Sequence, residues 1–93
     1  MIINFKCKET EKIWEGIISL KFSKDIQQVA RRKLRMLANA KQLMDLIVPP
    51  SNHLEALKGR RVSERSIRIN KQWRICFKWL NNHAHDVKIE DYH

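Results

Sequence analysis

The sequence contains few residues that interrupt secondary structure or form cross-links, and few acidic residues. Its 93 residues include only 2 glycines, 2 prolines and 2 cysteines, and 10 Asp and Glu stand against 19 Lys and Arg. No stretch has a low-complexity composition, and a hydrophobic fraction of 43% excludes an intrinsically disordered chain. We therefore expect one globular domain over residues 1–93.

Long apolar runs are also missing. No segment approaches the length of a membrane span, and Lys6, Lys8 and Glu9 interrupt the N-terminus before a signal-peptide core could form. We therefore expect a cytoplasmic protein with no membrane partner. Cys7 and Cys76 lie far apart and form no CxxC pair, so free thiols are expected, with a single disulfide as the alternative.

The histidines do not have the spacing of a metal site. His83 and His85 are two residues apart, but the set that they form with His53 and His93 matches neither a zinc finger nor HExxH. A solvated turn explains the pair, and neither a metal ion nor another cofactor is predicted.

The excess of cations points to a polyanionic partner. The net charge is +9 and the pI is about 10.0, which favours nucleic acid, a ribosome, an anionic membrane or an acidic protein. One acid, Glu64, stands among eight cations expected to converge on one side of a sheet: Lys58, Arg60, Arg61, Arg65, Arg68, Lys71, Arg74 and Lys78. A second cluster, formed by Arg31, Arg32, Lys33 and Arg35, is either a solvated helix face or an extra anchor on RNA.

Residues 66–79 have the period of two that marks half-buried strands. Ile67 and Ile69 alternate with polar residues, and so do the apolar residues from Trp73 to Trp79. Asn70-Lys71-Gln72 is short enough for a hairpin turn, and Asn70 tolerates a left-handed backbone. A last strand over Asp86–Asp91 completes a three-stranded meander.

The first half of the chain has strand and helix signals. Met1–Phe5 reads as a short strand, and Thr10 is the predicted N-cap of a helix that buries Ile13, Trp14, Ile17 and Ile18. Ser23 is the predicted N-cap of a second helix with an apolar stripe from Ile26 to Ala38. A helical turn over Leu43–Val48 ends at Pro49-Pro50. The prediction is an α+β fold: an N-terminal strand, two helices and a C-terminal antiparallel three-stranded meander, with the helices on one face.

The C-terminal residues can handle protons. Metal-free cleavage of RNA needs a base for the 2′-hydroxyl proton, an acid for the leaving 5′-oxygen and cations on the phosphate. The residues that could supply these parts are Glu55, Lys58, Arg74, Asp91, Tyr92 and His93. The chemistry alone leaves a frayed C-terminal tail as the alternative.

Three segments together resemble the HigB toxins of bacterial toxin–antitoxin pairs, which belong to the RelE/ParE superfamily. These segments are Leu57-Lys58-Gly59, Trp73-Arg74-Ile75-Cys76-Phe77 and Glu90-Asp91-Tyr92-His93, and the resemblance covers essentially the whole chain. It implies a toxin with a RelE-like microbial RNase fold, which enters the ribosomal A site and cuts mRNA. It also implies a HigA-like helix-turn-helix antitoxin, and operator DNA bound only through the toxin–antitoxin complex.

The resemblance assigns roles residue by residue. Asp91, Tyr92 and His93 match the C-terminal active-site residues, and Arg74 and Lys58 match phosphate-handling positions. Gln72 stands where members often have Asn. Glu55 stands where many members have His, so either Glu55 replaces that base or His53 swings in. We predict further RNA contacts from Arg60, Arg68, Lys71 and Lys78.

The leading hypothesis is a ribosome-dependent, metal-independent mRNA endonuclease. The first alternative is a non-enzymatic, ParE-like toxin that blocks gyrase, because one fold can host unrelated functions. The second is a plain basic nucleic-acid-binding module, which would bind with a steep salt dependence and no cleavage. Trp73 is expected to pack in the core and to position Arg74.

Overall fold

The computed structural model describes residues 1–91 as two helices packed on one face of a four-stranded antiparallel sheet. In chain order the elements are α1 (Lys8–Trp14), α2 (Lys24–Asn39), β1 (Glu55–Ala56), β2 (Glu64–Arg68), β3 (Trp73–Leu80) and β4 (His83–Asp91). Short 3-10 helices span Leu43–Ile47, Pro50–Asn52 and Gly59–Arg61. The strand order is β1-β2-β3-β4, so the predicted α+β meander is confirmed and β1 extends it at one edge.

The β2–β3 hairpin has the predicted turn, but Asn70 does not adopt a left-handed backbone there, and its side chain holds the turn. Its Oδ1 accepts hydrogen bonds from the N–H groups of Gln72 and Trp73, both at 2.8 Å. The next turn, by contrast, contains two residues in the left-handed region, Asn81 (φ 52°) and Asn82 (φ 63°). That tight turn lets Leu80 pair directly with His83, so β4 begins three residues before the predicted Asp86.

The core lies between α2 and the helix-facing side of the sheet. Leu34 and Leu37 from α2 are fully buried together with Ile67, Ile75 and Phe77. In β2 and β3 the buried apolar residues alternate with residues of the opposite face, which is the period of two seen in the sequence. Ile67 pairs directly with Ile75. This packing fixes which face of each strand points away from the helices.

The N-terminal segment follows the outer edge of β4 without forming a regular strand. Ile2 and Phe5 make isolated parallel bridges to Ala84 and Val87. Asn4 also donates to the Asp86 carboxylate at 2.7 Å. The predicted strand is therefore reduced to two bridges, which shield an edge that would otherwise be open.

The prediction for the first helix was wrong at both ends. Cys7, not Thr10, is the N-cap, and Thr10 is buried inside α1, where its Oγ1 accepts from the N–H of Ile89 at 2.9 Å. The helix ends at Trp14, because Gly16 turns the chain with a φ of +83°. Ile17 and Ile18 consequently leave the helical face and are 52% and 67% exposed.

The second helix begins as predicted, with the Ser23 hydroxyl accepting from the N–H of Ile26. The assignment of Lys33 to its outer, solvated face was wrong. Lys33 is only 4% exposed, and its ammonium group donates to Oδ1 of the buried Asn52. The segment that leads to β1 packs over this side of α2 and encloses the lysine.

Two further expectations concern the thiols and the membrane. Cys7 and Cys76 both have free thiols, as predicted, and Cys76 is buried. None of the helices within residues 1–91 has the length and apolar character needed to cross a bilayer.

Candidate active site

Arg74 is the most constrained of the predicted site residues. It is 5% exposed, its Nε donates to the Ser66 hydroxyl at 2.8 Å, and its Nη2 donates to the carbonyl of His53. The carboxylate of Glu55 lies 4.0 Å from the same Nη2. The guanidinium is therefore held in one orientation by neighbouring protein atoms before any ligand arrives.

This burial corrects the expected display of cations on an open sheet face. Ser66, Arg74 and Cys76 share the face that points away from the helices, and all three are buried. The chain from His53 into β1 passes over Arg74, because β1 pairs with β2 through Glu55 and Ser66. Sequence alternation placed these side chains on one face but could not show what covers it.

A shallow hollow of about 240 Å³, here called the Arg74 depression, opens beside this guanidinium. Its lining residues are His53, Glu55, Arg68, Asn70, Lys71 and Arg74. Glu55 also lines a neighbouring hollow of about 620 Å³, the Lys58 depression, together with Ala56, Leu57, Lys58 and Arg61. Glu55, the predicted base, lines both depressions. It therefore lies on one continuous surface with Arg74 and Lys58, the two predicted phosphate-handling residues.

The end of β4 comes to the same end of the sheet. Asp91 pairs with Trp73 across the β3–β4 ladder, and its Oδ2 accepts from Nε2 of Gln72 at 3.0 Å. Asp91 is thereby one residue in register from Arg74. Tyr92 and His93 lie outside the described residues, so their catalytic roles remain predictions.

Some predicted RNA contacts are not brought to the Arg74 depression. Lys78 lies four residues farther along β3, roughly 13 Å away at strand spacing, and its ammonium is 3.6 Å from the Asp86 carboxylate. Arg60 is exposed in the 3-10 helix Gly59–Arg61 and lines neither depression. Arg68 and Lys71 do line the Arg74 depression.

Arg61 does not add an unpaired cation to the expected surface, because it forms ion pairs with two carboxylates. Its Nε and Nη2 donate to Glu64 at 3.0 and 2.9 Å, and its Nη1 and Nη2 donate to Glu90 at 2.7 and 2.8 Å. These bonds hold the pKa of Glu64 below its ordinary value. Burial, with Glu90 nearby, raises the pKa of Cys76 beneath the cluster to about 12.

Partial signals for the remaining site residues were present in the sequence. His53 was considered as an alternative base, and it lines the Arg74 depression next to Glu55. Ser66 was placed on the same sheet face as Arg74 by the period of two, but its bond to Arg74 was not predicted. No sequence signal linked Arg61 to Glu90, which is 29 residues away.

The arrangement combines a fixed guanidinium, a carboxylate, an imidazole and lysines around a hollow that is open to solvent. This set suits an anionic group such as a phosphodiester, together with proton transfer at one of its oxygens. Within residues 1–91, no three His, Cys, Asp or Glu side chains lie close enough to hold a metal ion.

The comparisons with known proteins agree on one family. Residues 4–93 match the family model for HigB-like toxin, described as the RelE-like toxin of the type II toxin–antitoxin system HigB. The chain is 33% identical over 91 residues to Toxin HigB-1 of Vibrio cholerae, covering 97% of this chain and 96% of the relative. It is 32% identical over 94 residues to Endoribonuclease HigB of Proteus vulgaris, with both chains fully covered.

A third relative is an uncharacterized protein of Haemophilus influenzae, 36% identical over 70 residues that cover 75% of this chain and 69% of the relative. The family match spans both helices, all four strands and every residue of the Arg74 and Lys58 depressions. The protein therefore belongs to the HigB family of RelE-like toxins of type II toxin–antitoxin systems.

Proposed function

We propose that this protein is a cytoplasmic endoribonuclease that cuts mRNA in the ribosomal A site, and that residues 1–93 form a single toxin domain. The observation that carries the proposal is Arg74, buried and hydrogen-bonded in one orientation with Glu55 at 4.0 Å. A pre-oriented cation beside a carboxylate suits a reaction in which charge develops on a phosphate. The name of the Proteus vulgaris relative, Endoribonuclease HigB, agrees with this chemistry.

The proposed reaction needs no metal ion. Glu55 takes the proton of the 2′-hydroxyl, whose oxygen attacks the neighbouring phosphorus. The bond from phosphorus to the 5′-oxygen breaks, and His93 or Tyr92 protonates that oxygen, with Asp91 beside them. Arg74 stabilises the charge on the phosphate, and Lys58 and Lys71 attract the backbone.

The open depressions support dependence on the ribosome. Neither depression encloses a nucleotide, so the protein by itself does little to hold RNA in line for attack. The ribosome would supply that alignment by fixing the A-site codon. Exposed cations away from Arg74, such as Arg60, Arg32 and Arg35, would contact ribosomal RNA.

The partner that follows from the family is an antitoxin. We propose a HigA-like protein with a helix-turn-helix domain, which neutralises the toxin and carries the complex to operator DNA. The net charge of +9 favours an acidic toxin-binding region on that partner.

The proposal is tested by mixing the purified protein with mRNA-programmed ribosomes and mapping the new 5′ ends. We expect cuts within the A-site codon and little cutting of the same mRNA without ribosomes. Lys58→Ala should slow cutting at least tenfold, whereas Lys41→Ala, which also removes an exposed lysine but outside both depressions, should not. Rapid cutting of naked RNA, or inhibition of gyrase supercoiling without RNA cleavage, would contradict the proposal.

A further inference from the structure

A third depression lies at the same end of the sheet, beside Trp73 and Asp91. It has a volume of about 530 Å³, within the range of roughly 300–1,000 Å³ typical of small-ligand sites. We call it the Lys21 depression. Its lining residues are Lys6, Cys7, Lys21, Trp73, Lys88, Ile89, Glu90 and Asp91.

Its position relative to the Arg74 depression follows from the sheet. Trp73 and Arg74 are neighbours in β3, so their side chains point to opposite faces, and each lines its own depression. Gln72 stands in the chain between Lys71 of the Arg74 depression and Trp73 of the Lys21 depression, and it donates a hydrogen bond to Asp91. An RNA strand that leaves Arg74 and crosses this end of the sheet would therefore reach the Lys21 depression.

The lining carries cations from three separate segments. Lys88 is 3.1 Å from Glu90, and that carboxylate is also held by Arg61. Lys6 and Lys21 are exposed, and within residues 1–91 neither has a carboxylate within ion-pair distance. Two cations are thus available to an anionic ligand.

Trp73 gives the depression an aromatic wall. The indole is only half-buried, and Phe22 fixes it from the core side in an edge-on contact with ring centroids 5.1 Å apart. A rigid, partly exposed indole beside lysines is the combination that proteins use to stack bases of single-stranded nucleic acid. Core packing explains the buried edge of Trp73 but not the lysines around its exposed part.

We propose that the Lys21 depression binds a nucleotide of single-stranded RNA next to the cleaved bond, with its phosphate at Lys6 and Lys21 and its base against Trp73. This inference rests on the proposed function for its ligand class. It adds a second binding position, beyond the cleavage site, that helps to set the path of the RNA across the sheet.

The chain contains its own reporter for this position. Burial opposes ionisation of Cys7, but hydrogen bonds at Thr10 and Glu9 and the charge of Lys21 lower its pKa overall. Cys76 is buried, with its pKa raised to about 12, so it should react far more slowly with an alkylating agent. Iodoacetamide should therefore modify Cys7 selectively, and mass spectrometry can follow the rate.

The experiment measures alkylation of Cys7 with and without a saturating 2′-O-methyl RNA oligonucleotide, which lacks the attacking hydroxyl. We expect the RNA to slow modification at least tenfold in the unaltered protein. The Lys6→Ala/Lys21→Ala variant should lose this protection, and the salt slope of its RNA affinity should fall by about 0.7 for each phosphate that the variant no longer neutralises. Lys24→Ala/Lys41→Ala removes the same charge elsewhere and should keep the protection.

A second pair of variants tests the aromatic wall. Trp73→Phe keeps a ring and should retain most of the RNA affinity, whereas Trp73→Leu should lose about tenfold. Circular dichroism would verify that both variants are folded. Equal affinities for two folded variants would overturn the stacking role.

The outcomes separate this inference from the proposed function, because the modified RNA cannot be cleaved. Unchanged Cys7 reactivity at saturating RNA, or equal losses in both lysine variants, overturns the subsite even if ribosome-dependent cleavage is observed. Protection by a purified antitoxin but not by RNA also overturns it and assigns the depression to a protein interface. Protection by RNA in a protein that cleaves nothing supports the subsite and contradicts only the nuclease.

Discussion

At the residue scale, Arg74 shows why a charge in the sequence does not reveal its environment. As a member of a basic segment it could have been one more exposed cation. In the structure its Nε and Nη2 are directed by Ser66 and by the backbone of His53. A guanidinium held in this way loses little freedom on binding a phosphate, which favours it as the group that stabilises the reacting phosphate.

The assignment of the base is tested at Glu55. Glu55→Gln should keep the fold, because the side chain is 45% exposed, and should slow ribosome-dependent cleavage by about 10²-fold or more. Glu55→His, which places an imidazole base at the same position, should restore most of that rate. His53→Gln should change the rate only a few-fold. A severe loss in His53→Gln together with normal cleavage in Glu55→Gln would transfer the role to His53.

Ser66 is expected to act by positioning Arg74. Ser66→Ala removes the acceptor of the 2.8 Å bond from Nε and should cost about 1–3 kcal/mol of unfolding free energy. In cleavage assays we expect kcat to fall about tenfold with little change in KM, because the loss affects the orientation of Arg74 in the transition state. Ser66→Thr, which keeps the hydroxyl, should recover kcat. A loss of stability with unchanged kcat would limit Ser66 to a structural role.

At the element scale, the segment between α2 and β1 is fixed by a buried polar contact. Lys33 donates to Oδ1 of Asn52, and Nδ2 of Asn52 donates to the carbonyl of Leu46 at 3.1 Å. The chain then turns at His53, with a φ of 42°, and enters β1 at Glu55. The position of Glu55 therefore depends on a contact that is buried beside α2.

This contact should show strong coupling in a double-mutant cycle. Asn52→Ala leaves the Lys33 ammonium buried without that acceptor and should destabilise the fold by about 1.5–3 kcal/mol. Lys33→Met should cost less, and the double variant Lys33→Met/Asn52→Ala should lose less stability than the sum of the two single losses. Urea unfolding measures all three free energies. Additive effects would contradict the coupling.

The same lysine predicts an alkaline dependence of stability. Burial, with Arg32 nearby, lowers the pKa of Lys33. The unfolded chain then holds this proton to higher pH than the folded chain, so folding becomes more favourable as pH rises from the lowered pKa towards 10.5. The unaltered protein should gain stability relative to Lys33→Met over this window. A constant difference between the two proteins would contradict the pKa shift.

At the scale of the whole molecule, the cluster of Arg61, Glu64 and Glu90 joins the start of β2 to the end of β4. Arg61 precedes β2, while Glu90 is the penultimate residue of β4. The cluster therefore connects the Lys58 depression to the strand that leads to Asp91. It also brings Glu90, from outside the basic segment, to Arg61, so the surface near Arg74 carries less net positive charge than the local sequence indicates.

This cluster should make stability sensitive to acid. Arg61 lowers the pKa of Glu64, and Arg61 and Lys88 lower that of Glu90 against the opposing effect of burial. The stabilisation is therefore fully present above the ordinary carboxyl pKa of 4.5 and is lost as pH falls through the lowered values. Arg61→Met should destabilise the fold by about 1 kcal/mol at pH 7, because solvent screens a side chain that is 40% exposed, and by less at pH 3. An effect of the same size at both pH values would contradict the ion-pair origin.

Local spacing and short motifs in the sequence were enough to predict most of the secondary-structure elements and the family. The period of two defined the β2–β3 hairpin, and the spacing of apolar residues and Ser23 defined α2. Leu57-Lys58-Gly59, the segment that begins Trp73-Arg74 and the C-terminal Asp91-Tyr92-His93 together indicated the toxin family. The strand and helix predictions depend on neighbours within one element, where the backbone geometry fixes which side chains share a face. Residues within such an element can therefore be assigned from their spacing.

What covers each face was fixed by the packing of segments that are distant in the sequence. It buried Lys33, which the helical pattern had assigned to solvent, and exposed Ile17 and Ile18, which the pattern had assigned to the core. It also placed the His53 backbone over Arg74 and joined Arg61 to Glu90. The physical reason is the same in each case: contacts between distant segments follow from how the elements pack together, and no local spacing encodes them.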